Sequence, residues 1–157
     1  MSYMTNASNA FLVDTNVLVY AYDPRDRAKQ ERALLVIDSL IASERAVLSV
    51  QCLSEFFSVS TRRLPERMTR EEARVRVERL ARACRVLDLT PTIVLEGCRG
   101  VTDHNMSIWD ALIWAAARLN QVPYVLTEDS THGRFLEGVR YLNPFAPAFD
   151  PGMLNAG

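Results

Sequence analysis

The chain has few cysteines and histidines, which limits the covalent and metal chemistry open to it. Its three cysteines, Cys52, Cys84 and Cys98, lie far apart and form no C-x-x-C pair, so we expect buried free thiols. Free thiols are typical of proteins from a reducing cytoplasm. The two histidines, His104 and His132, are too few and too widely separated for a zinc site.

Long hydrophobic runs are also missing. The most apolar segments are 11–20, which Asp14 and Asn16 interrupt, and 111–117, which is much too short to span a bilayer. The N-terminus has no basic stretch followed by an apolar run, the pattern of a secretory signal. We therefore predict a soluble, cytoplasmic protein with no membrane partner.

Lysine is almost absent, and the positive charge is unevenly distributed. Lys29 is the only lysine, and the net charge of the chain is −1. The segment Arg62–Arg85 nevertheless has nine arginines against four glutamates. Four-apart pairs such as Glu72–Arg76 and Glu78–Arg82 are typical of a solvent-exposed helical face. The alternative is an RNA-backbone or partner surface, because guanidinium groups bind phosphate bidentately, and the sequence leaves both interpretations open.

Short apolar segments alternate with helical patterns along the chain. A length of 157 residues with 48% hydrophobic content suits one domain with a real core. The predicted strands are Phe11–Val13, Ala46–Ser49, Val86–Leu89, Val122–Thr127 and Val139–Leu142. Helices are predicted directly after Asp14, over Ala28–Ala42 and Gln51–Thr61, behind the capping box Thr69–Glu72, from Pro91 and behind the cap Ser107. This alternation predicts an α/β fold with a parallel sheet covered on both faces.

The two ends of the chain lack this periodicity. Residues 1–9 are small and polar, and the segment that begins at Asn143 contains three prolines. We place a single domain at residues 10–145 and expect irregular tails at 1–9 and 146–157.

Four acidic residues stand at the ends of apolar segments: Asp14, Glu55, Asp110 and Asp129. Each has an ordinary structural explanation, as a helix cap, a solvated helix residue, the second half of a capping box with Ser107, and a turn residue respectively. Their joint placement favours a functional explanation. The carboxyl ends of parallel strands meet at one edge of a sheet, so these side chains are expected to share a crevice there.

Carboxylates that share a crevice raise one another's pKa unless a cation holds them. Oxygen-only ligands select Mg²⁺ or Mn²⁺. Such an ion lowers the pKa of a bound water and neutralises charge on a phosphate. The sequence therefore predicts a Mg²⁺ or Mn²⁺ site that acts on a phosphodiester.

The segments that carry the four acids resemble the successive motifs of PIN domains, particularly the VapC toxins of bacterial toxin–antitoxin pairs. These segments are Val13–Leu18, Ser54–Phe56, Ile108–Ile113 and Val125–Asp129, and the resemblance covers about residues 10–145. It implies a PIN-like three-layer sandwich with a central parallel sheet of about five strands flanked by helices. It also implies a Mg²⁺- or Mn²⁺-dependent endoribonuclease that leaves a 3′-hydroxyl and a 5′-phosphate.

The resemblance further implies a set of catalytic acids: Asp14, Glu55, Asp110 and Asp129. All of them except Glu55 would hold the metal, and Glu55 would orient or deprotonate the attacking water. Asn16 and Thr127 would fix the rotamers of the carboxylates. Glu128 lies beside Asp129 and is the alternative for the fourth position.

The partners implied by the resemblance are an RNA substrate, a cognate antitoxin and a second copy of the chain. VapC-like proteins form homodimers, and the C-terminal segment of the antitoxin lies in a groove that leads to the acids. An apolar groove near Phe56, Phe57 and the early helices would serve this purpose.

The remaining aromatic and histidine side chains suggest structural roles first. Trp109 and Trp114, like the two phenylalanines, are expected in the core. His104 and His132 are expected on the surface, although the loops that carry them border the predicted site and either could contact RNA.

Two other functions compete with a nuclease. A catalytically idle PIN scaffold would bind RNA or protein without cleaving it, and the intact acidic set argues against this. A metal phosphatase or receiver domain also uses an aspartate at a strand end. The phosphatase pattern Asp-x-Asp-x-Thr fails here because Asn16 replaces the second acid, and Lys29 is the only lysine.

Overall fold

The computed structural model describes residues 9–155, which form a six-stranded sheet with helices on both faces. The strands are β1 Phe11–Val13, β2 Ala46–Ser49, β3 Arg85–Leu87, β4 Tyr124–Leu126, β5 Phe135–Leu136 and β6 Val139–Leu142. The helices are α1 Thr15–Tyr20, α2 Arg27–Ala42, α3 Val50–Arg62, α4 Arg70–Ala83, α5 Pro91–His104 and α6 Ile108–Leu119, with a short 3-10 helix at Pro151–Leu154.

Side-chain caps start the helices where the sequence predicted. Thr69 and Glu72 form the complete capping box of α4, and Pro91 occupies the first turn of α5. The Ser107 hydroxyl accepts the Asp110 amide at the start of α6. At the other end of α5, Asn105 adopts a left-handed conformation with φ of 54°, which stops the helix just before the α6 cap.

The order of the strands creates a switch point in the middle of the sheet. The order is β3-β2-β1-β4-β6-β5, and β1 is parallel both to β2 and to β4. The chain moves outward from β1 to β2 and β3 on one side, then crosses to β4 and β6 on the other. In such sheets the crevice for ligands lies outside the carboxyl ends of the strands where the direction reverses. Here that position follows Val13 and Leu126.

Two hydrophobic cores lie on opposite faces of the sheet. Phe11 and Val13 point into the first core, which α1, α2 and α4 help to cover, and Leu12 points into the second, which α5 and α6 cover. This alternation along a three-residue strand follows from the period of two in β structure. The predicted three-layer arrangement is confirmed.

One strand was not predicted. Five strands are parallel, as expected, but β5 is antiparallel to β6. It has only two residues, too few to show a hydrophobic alternation in the sequence. Glu137 and Gly138 join the two strands with φ of 45° and 88°, the positive values that a tight hairpin turn requires.

The segment beyond residue 145 differs from the irregular tail that we expected. Phe149 and Leu154 are buried in the first core, and the 3-10 helix lies against α2. Arg45 donates to the carbonyl groups of Met153 and Leu154, which fixes the segment to the start of β2. Prolines and a lack of periodicity concealed this packing. Residues 1–8, in the other predicted tail, lie outside the described residues.

The arginine-rich segment is arranged differently from the predicted pairs. Arg74 binds Glu71 and Glu78, whereas Glu72 caps α4. Glu72–Arg76 and Glu78–Arg82 form no ion pair within residues 9–155, although the helical face that carries them is largely exposed, as their spacing predicted. Arg74 is the only arginine of this segment that forms an ion pair within residues 9–155, so most of the local positive charge stays uncompensated.

Two other sequence predictions have mixed outcomes. The three cysteines are free, but only Cys52 is buried; Cys84 is half-buried and Cys98 is exposed. The prediction of buried thiols is wrong for Cys98 because α5 turns that position outward. Among the described residues 9–155, no helix is long and apolar enough to cross a membrane.

We predict that α5 and α6 depend on Gly100 for their close approach. A Cβ atom at Gly100 would lie 3.0 Å from two ring carbons of Trp114, whose side chain is fully buried. Overpacking of this kind costs about 1–3 kcal/mol, and the gain in helix propensity returns about 1 kcal/mol. Gly100→Ala should therefore lower the free energy of unfolding by about 1 kcal/mol, measured by urea denaturation.

Gly97→Ala is the matched control on the same helix. Its Cβ atom would lie 2.9 Å from the Cδ2 atom of Leu112, whose side-chain end can rotate away, and at ordinary contact distances of 3.5 and 3.6 Å from two backbone atoms of α6. This variant should be as stable as the native chain or slightly more stable. Equal destabilisation by both substitutions would contradict the role assigned to the Trp114 ring.

Candidate metal centre and active-site cleft

The structure brings all four predicted acids into one cleft at the switch point. Asp14, Glu55, Asp110 and Asp129 line a cavity of about 360 Å³ at the carboxyl edge of the sheet. A smaller hollow of about 170 Å³ adjoins it and is also lined by Asp14, Asp110 and Asp129. Residues more than a hundred positions apart in sequence therefore face the same space.

Asp14 is the most enclosed of these acids and is held by two hydrogen bonds. It follows β1 and caps α1, where its Oδ1 atom accepts the Thr15 amide at 2.8 Å. Its Oδ2 atom accepts the Thr127 hydroxyl at 2.9 Å. The cap explanation for Asp14 is thus correct, but it accounts for one oxygen only, and the residue still faces the cleft.

Asn16 and Thr127 form a short hydrogen-bonded chain beneath the acids. The Asn16 amide donates to the Thr127 hydroxyl and to Asp129 Oδ2, both at 3.1 Å. The Thr127 hydroxyl in turn donates to Asp14. One amide and one hydroxyl therefore orient two carboxylates from different strands, as expected for these two residues.

Glu55 is held by two side chains that the sequence analysis missed. The Thr15 hydroxyl donates to Oε2 and the Gln51 amide to Oε1, both at 3.0 Å. Gln51 lies one helical turn before Glu55, and this four-residue spacing is the signal that could have identified it. The half-buried Glu55 carboxylate is thus directed into the cleft rather than solvated on a helix face.

Asp110 has the least constrained carboxylate. Its backbone amide donates to Ser107 Oγ at 3.2 Å, but its carboxylate does not bond back to the Ser107 amide, as Glu72 does to Thr69 in the capping box of α4. Within residues 9–155 the Asp110 carboxylate has neither a hydrogen-bond donor nor an ion-pair partner. The predicted alternative, a carboxylate used to close the α6 cap, is therefore not realised.

Glu128 and Asp129 have clearly different surroundings. Asp129 lines both cavities and accepts from Asn16. Glu128 turns away from them: its carboxylate accepts from the Tyr20 hydroxyl at 2.8 Å and from Lys29 at 2.7 Å. The Glu128 side chain thus anchors the loop, which leaves Asp129 as the fourth acid of the cleft.

The Asp14 carboxylate is enclosed in the cleft without a neighbouring positive charge from the described residues. Burial raises the pKa of Asp14 from 3.8 to about 6; the bonds from Thr127 and Thr15 oppose this, and the charges of Glu55 and Asp129 add to it. Among residues 9–155, none of the four acids forms an ion pair. A buried carboxylate without a cation is the situation that a metal ion relieves.

The donor chemistry suits a hard divalent ion, although the side chains do not yet converge on one point. Within the described part of the chain, no three Asp, Glu, His or Cys side chains are close enough together to hold an ion as they stand. The oxygens of Asp14, Asp110 and Asp129 retain free lone pairs, because each carboxylate offers about four acceptor sites. Of these three carboxylates, that of Asp110 is the one with no hydrogen-bond partner within residues 9–155, so its side chain is the least restrained.

The cleft also contains groups for which the sequence suggested another role. Trp109 was expected in the core, but 63% of its surface is exposed and it lines the cleft beside Asp110; Trp114 is fully buried, as expected. The prediction failed for Trp109 because the buried stripe of α6 starts only at Ala111. Arg25 stands at the mouth of the cleft and binds the buried Asp23.

Both histidines have structural partners. His104 pairs with Glu137 and its ring packs edge-on against Trp114, while it lines the smaller hollow. His132 accepts the Asn143 amide at 3.0 Å and packs against Phe149. His104 thus remains near the site, and His132 holds the chain after β6.

The groove expected near Phe56 and Phe57 needs correction. Phe56 is fully buried in the first core and cannot line a surface groove. Phe57 does line one, between α3 and α4, together with Arg62 and Met68.

The chain combines a doubly wound parallel sheet with an acidic cleft at the switch point of that sheet. This combination is typical of the family that the chain matches. The family model described as "PIN domain" matches residues 11–135, so the chain belongs to the PIN domain family. No curated protein matches the chain at a significant level.

Solved structures with the same fold come from several bacteria. A toxin–antitoxin complex from Klebsiella pneumoniae aligns with a TM-score of 0.63 at 16% identity, over 87% of this chain and 98% of that one. FitAcB from Neisseria gonorrhoeae aligns with 0.60 at 22% identity, over 86% and 98%. VapC20 of Mycobacterium tuberculosis, titled a toxin that cleaves the sarcin–ricin loop, aligns with 0.57 at 21% identity, over 74% and 87%. At these identities the likeness shows the shared fold.

We predict that Asp14 makes the metal-free protein less stable as the pH rises. Its native pKa of about 6 exceeds the ordinary 3.8, so the native state keeps its proton longer than the unfolded chain does. The free energy of unfolding should fall by about 1–3 kcal/mol between pH 4 and pH 7 from this residue. Urea denaturation in EDTA across this range measures the effect.

Asp14→Asn supplies the comparison, because asparagine caps helices as well as aspartate does. The difference in stability between this variant and the native chain should grow in favour of the variant as the pH rises from 4 to 7. Parallel stability curves would show that the Asp14 carboxylate is not strained by burial.

Proposed function

We propose that this PIN domain is a metal-dependent endoribonuclease and the toxin of a toxin–antitoxin pair. The observation that carries the proposal is the convergence of four carboxylates from distant segments on one cleft. A purely structural set of acids would have ion-pair partners, as Glu128 has in Lys29. The four acids Asp14, Glu55, Asp110 and Asp129 form no ion pair within residues 9–155, and burial already raises the pKa of Asp14.

The proposed cofactor is Mg²⁺ or Mn²⁺, held by Asp14, Asp110 and Asp129. The oxygen-only donor set favours these ions over zinc. When bound, such an ion supplies Lewis-acid stabilisation of charge on a phosphate and lowers the pKa of water. Asn16 and Thr127 keep two of the three carboxylates in fixed orientations.

Glu55 is the proposed base for the attacking water. Its two oxygens already accept from Thr15 and Gln51, which fixes the carboxylate but leaves lone pairs free for a water molecule. Hydrolysis then breaks the bond between phosphorus and the 3′ oxygen. The water oxygen forms the new bond to phosphorus and its proton goes to Glu55, while the departing 3′ oxygen takes a proton from solvent water, so the products carry a 3′-hydroxyl and a 5′-phosphate.

The proposed partners are RNA, a cognate antitoxin and a second copy of the chain, in the cytoplasm. The Klebsiella structure is titled a toxin–antitoxin complex, and a structure from Salmonella typhimurium that aligns at 18% identity is titled a DNA-bound VapBC. The groove along Phe57 between α3 and α4 is partly apolar and is the proposed binding surface for an antitoxin segment.

A catalytically idle scaffold is the alternative function. Such a protein would bind RNA or a partner through the same cleft without turnover. Cleavage that requires added metal, and that is lost with EDTA, separates the two functions.

We predict that Asp14→Asn and Asp110→Asn each reduce RNA cleavage at least about 100-fold, because each removes a charge that the metal needs. The assay follows an end-labelled RNA with added Mg²⁺ or Mn²⁺. Thermal unfolding checks that each variant is folded. An active variant of either kind would refute the assignment of the site.

Glu128→Gln is the matched control. It neutralises an acid of the same loop whose carboxylate lies outside the cleft and retains hydrogen-bonding atoms for Tyr20 and Lys29. Cleavage by this variant should stay within a few-fold of the native rate. Asp129→Asn should lose cleavage as the other two cleft variants do. Loss of cleavage in Glu128→Gln but not in Asp129→Asn would make Glu128 the fourth acid.

A further inference from the structure

The exposed ring of Trp109 is the feature of the cleft that the proposed chemistry does not use. It belongs to the first turn of α6, a helix whose next seven residues, Ala111–Ala117 after Asp110, are buried. The ring itself is 63% exposed and lines the cavity that holds the four acids. A large aromatic surface left open beside a catalytic centre is typical of a binding surface rather than of a core.

The position of Trp109 is fixed relative to the acids. Gln51 donates one hydrogen bond to the Trp109 carbonyl at 3.2 Å and another to Glu55 at 3.0 Å. Ser107 caps the same turn through the amide of Asp110. The backbone beneath the ring is therefore tied both to the proposed base and to a proposed metal ligand.

The charges of the cleft point to the kind of contact that the substrate needs. Five carboxylates line it, those of Asp14, Asp23, Glu55, Asp110 and Asp129. Among the described residues that line it, Arg25 is the one cationic side chain, and it already binds Asp23 through its backbone amide, Nε and Nη2. Phosphate groups gain little from such a lining, because like charges oppose their entry.

Stacking of a base on an aromatic ring is insensitive to this charge balance. It contributes about 1–3 kcal/mol per base in single-stranded nucleic acid complexes. A base can use a ring in this way only when it is unpaired and unstacked, since the bases of a duplex do not offer a free face.

We propose that Trp109 is the stacking platform for an unpaired RNA base next to the scissile phosphate. The inference rests on the proposed nuclease function for its substrate class. It adds a residue that positions the substrate.

The first test uses the fluorescence of the native protein in EDTA, where cleavage does not occur. The chain has two tryptophans, and Trp114 is fully buried with its indole N–H bonded to the Leu136 carbonyl. Quenching by acrylamide, which is uncharged, therefore reports on Trp109. A single-stranded RNA oligonucleotide should protect Trp109 from acrylamide, and the same sequence annealed into a duplex should not. Equal protection by both, or none by either, would overturn the proposal.

The second test compares substitutions that keep or remove the aromatic ring. Trp109→Phe should retain most of the affinity for the oligonucleotide, whereas Trp109→Leu and Trp109→Ala should each lose about 10- to 100-fold. The ratio between native and Ala affinities should stay constant with salt, because the lost contact is uncharged. In Trp109→Ala, the emission of the remaining Trp114 shows whether the core is intact. Equal affinities of the Leu and Phe variants would contradict stacking.

Leu95→Ala is the control for loss of an exposed apolar side chain. Leu95 is 71% exposed on α5 and does not line the cleft. Its substitution should leave RNA affinity unchanged, and a loss equal to that of Trp109→Ala would overturn the specific role of the ring.

The two proposals fail in distinguishable ways. RNA that protects Trp109 but is not cleaved with added metal refutes the nuclease and leaves the platform standing. Cleavage with a KM that Trp109→Ala does not change refutes the platform and leaves the nuclease standing.

Discussion

The structure of the site depends on the parallel pairing of β1 with β4 in the centre of the sheet. This pairing aligns Val13 with Leu126, so the residues that follow both strands emerge at the same edge. The Asp14 amide continues the ladder by donating to the Leu126 carbonyl at 2.9 Å. The bond from Thr127 to Asp14 is a direct result, because strand register sets which side chains meet. A shift of register would separate the acids.

The same geometry holds two acids of the cleft in place and leaves a third free to rotate. Asp14 and Asp129 are oriented by Thr127 and Asn16, and both follow strands of the central sheet. Asp110 stands on the first turn of α6, and its carboxylate has no partner in the described part of the chain. In the proposed metal site, the acid that is free to rotate would adapt to the ion, and the fixed acids would set its position.

Much of this arrangement could be predicted from the sequence, because the strands and caps are local signals. The positions of β1, β2 and β6, the capping box of α4 and the edge location of Asp14 all follow from short patterns. The support of Glu55 by Thr15 could not be predicted, because it joins residues forty positions apart in sequence. The exposure of Trp109 was missed for a related reason: a helical pattern shows which face is apolar but not where the neighbouring elements end.

Under the proposed function, the distribution of charge would separate the long-range attraction of RNA from its recognition in the cleft. The segment Arg62–Arg85 carries a surplus of positive charge that, apart from Arg74, is not used in ion pairs within residues 9–155. Such a surface attracts a polyanion at long range and loses this effect as salt increases. The cleft lining is acidic, so apart from a bound metal ion it offers an RNA few attractive charges. Under the proposed function, the arginines around α4 would attract the RNA first and the open aromatic ring beside Asp110 would contact it afterwards, and only this second contact would depend on whether a base is unpaired.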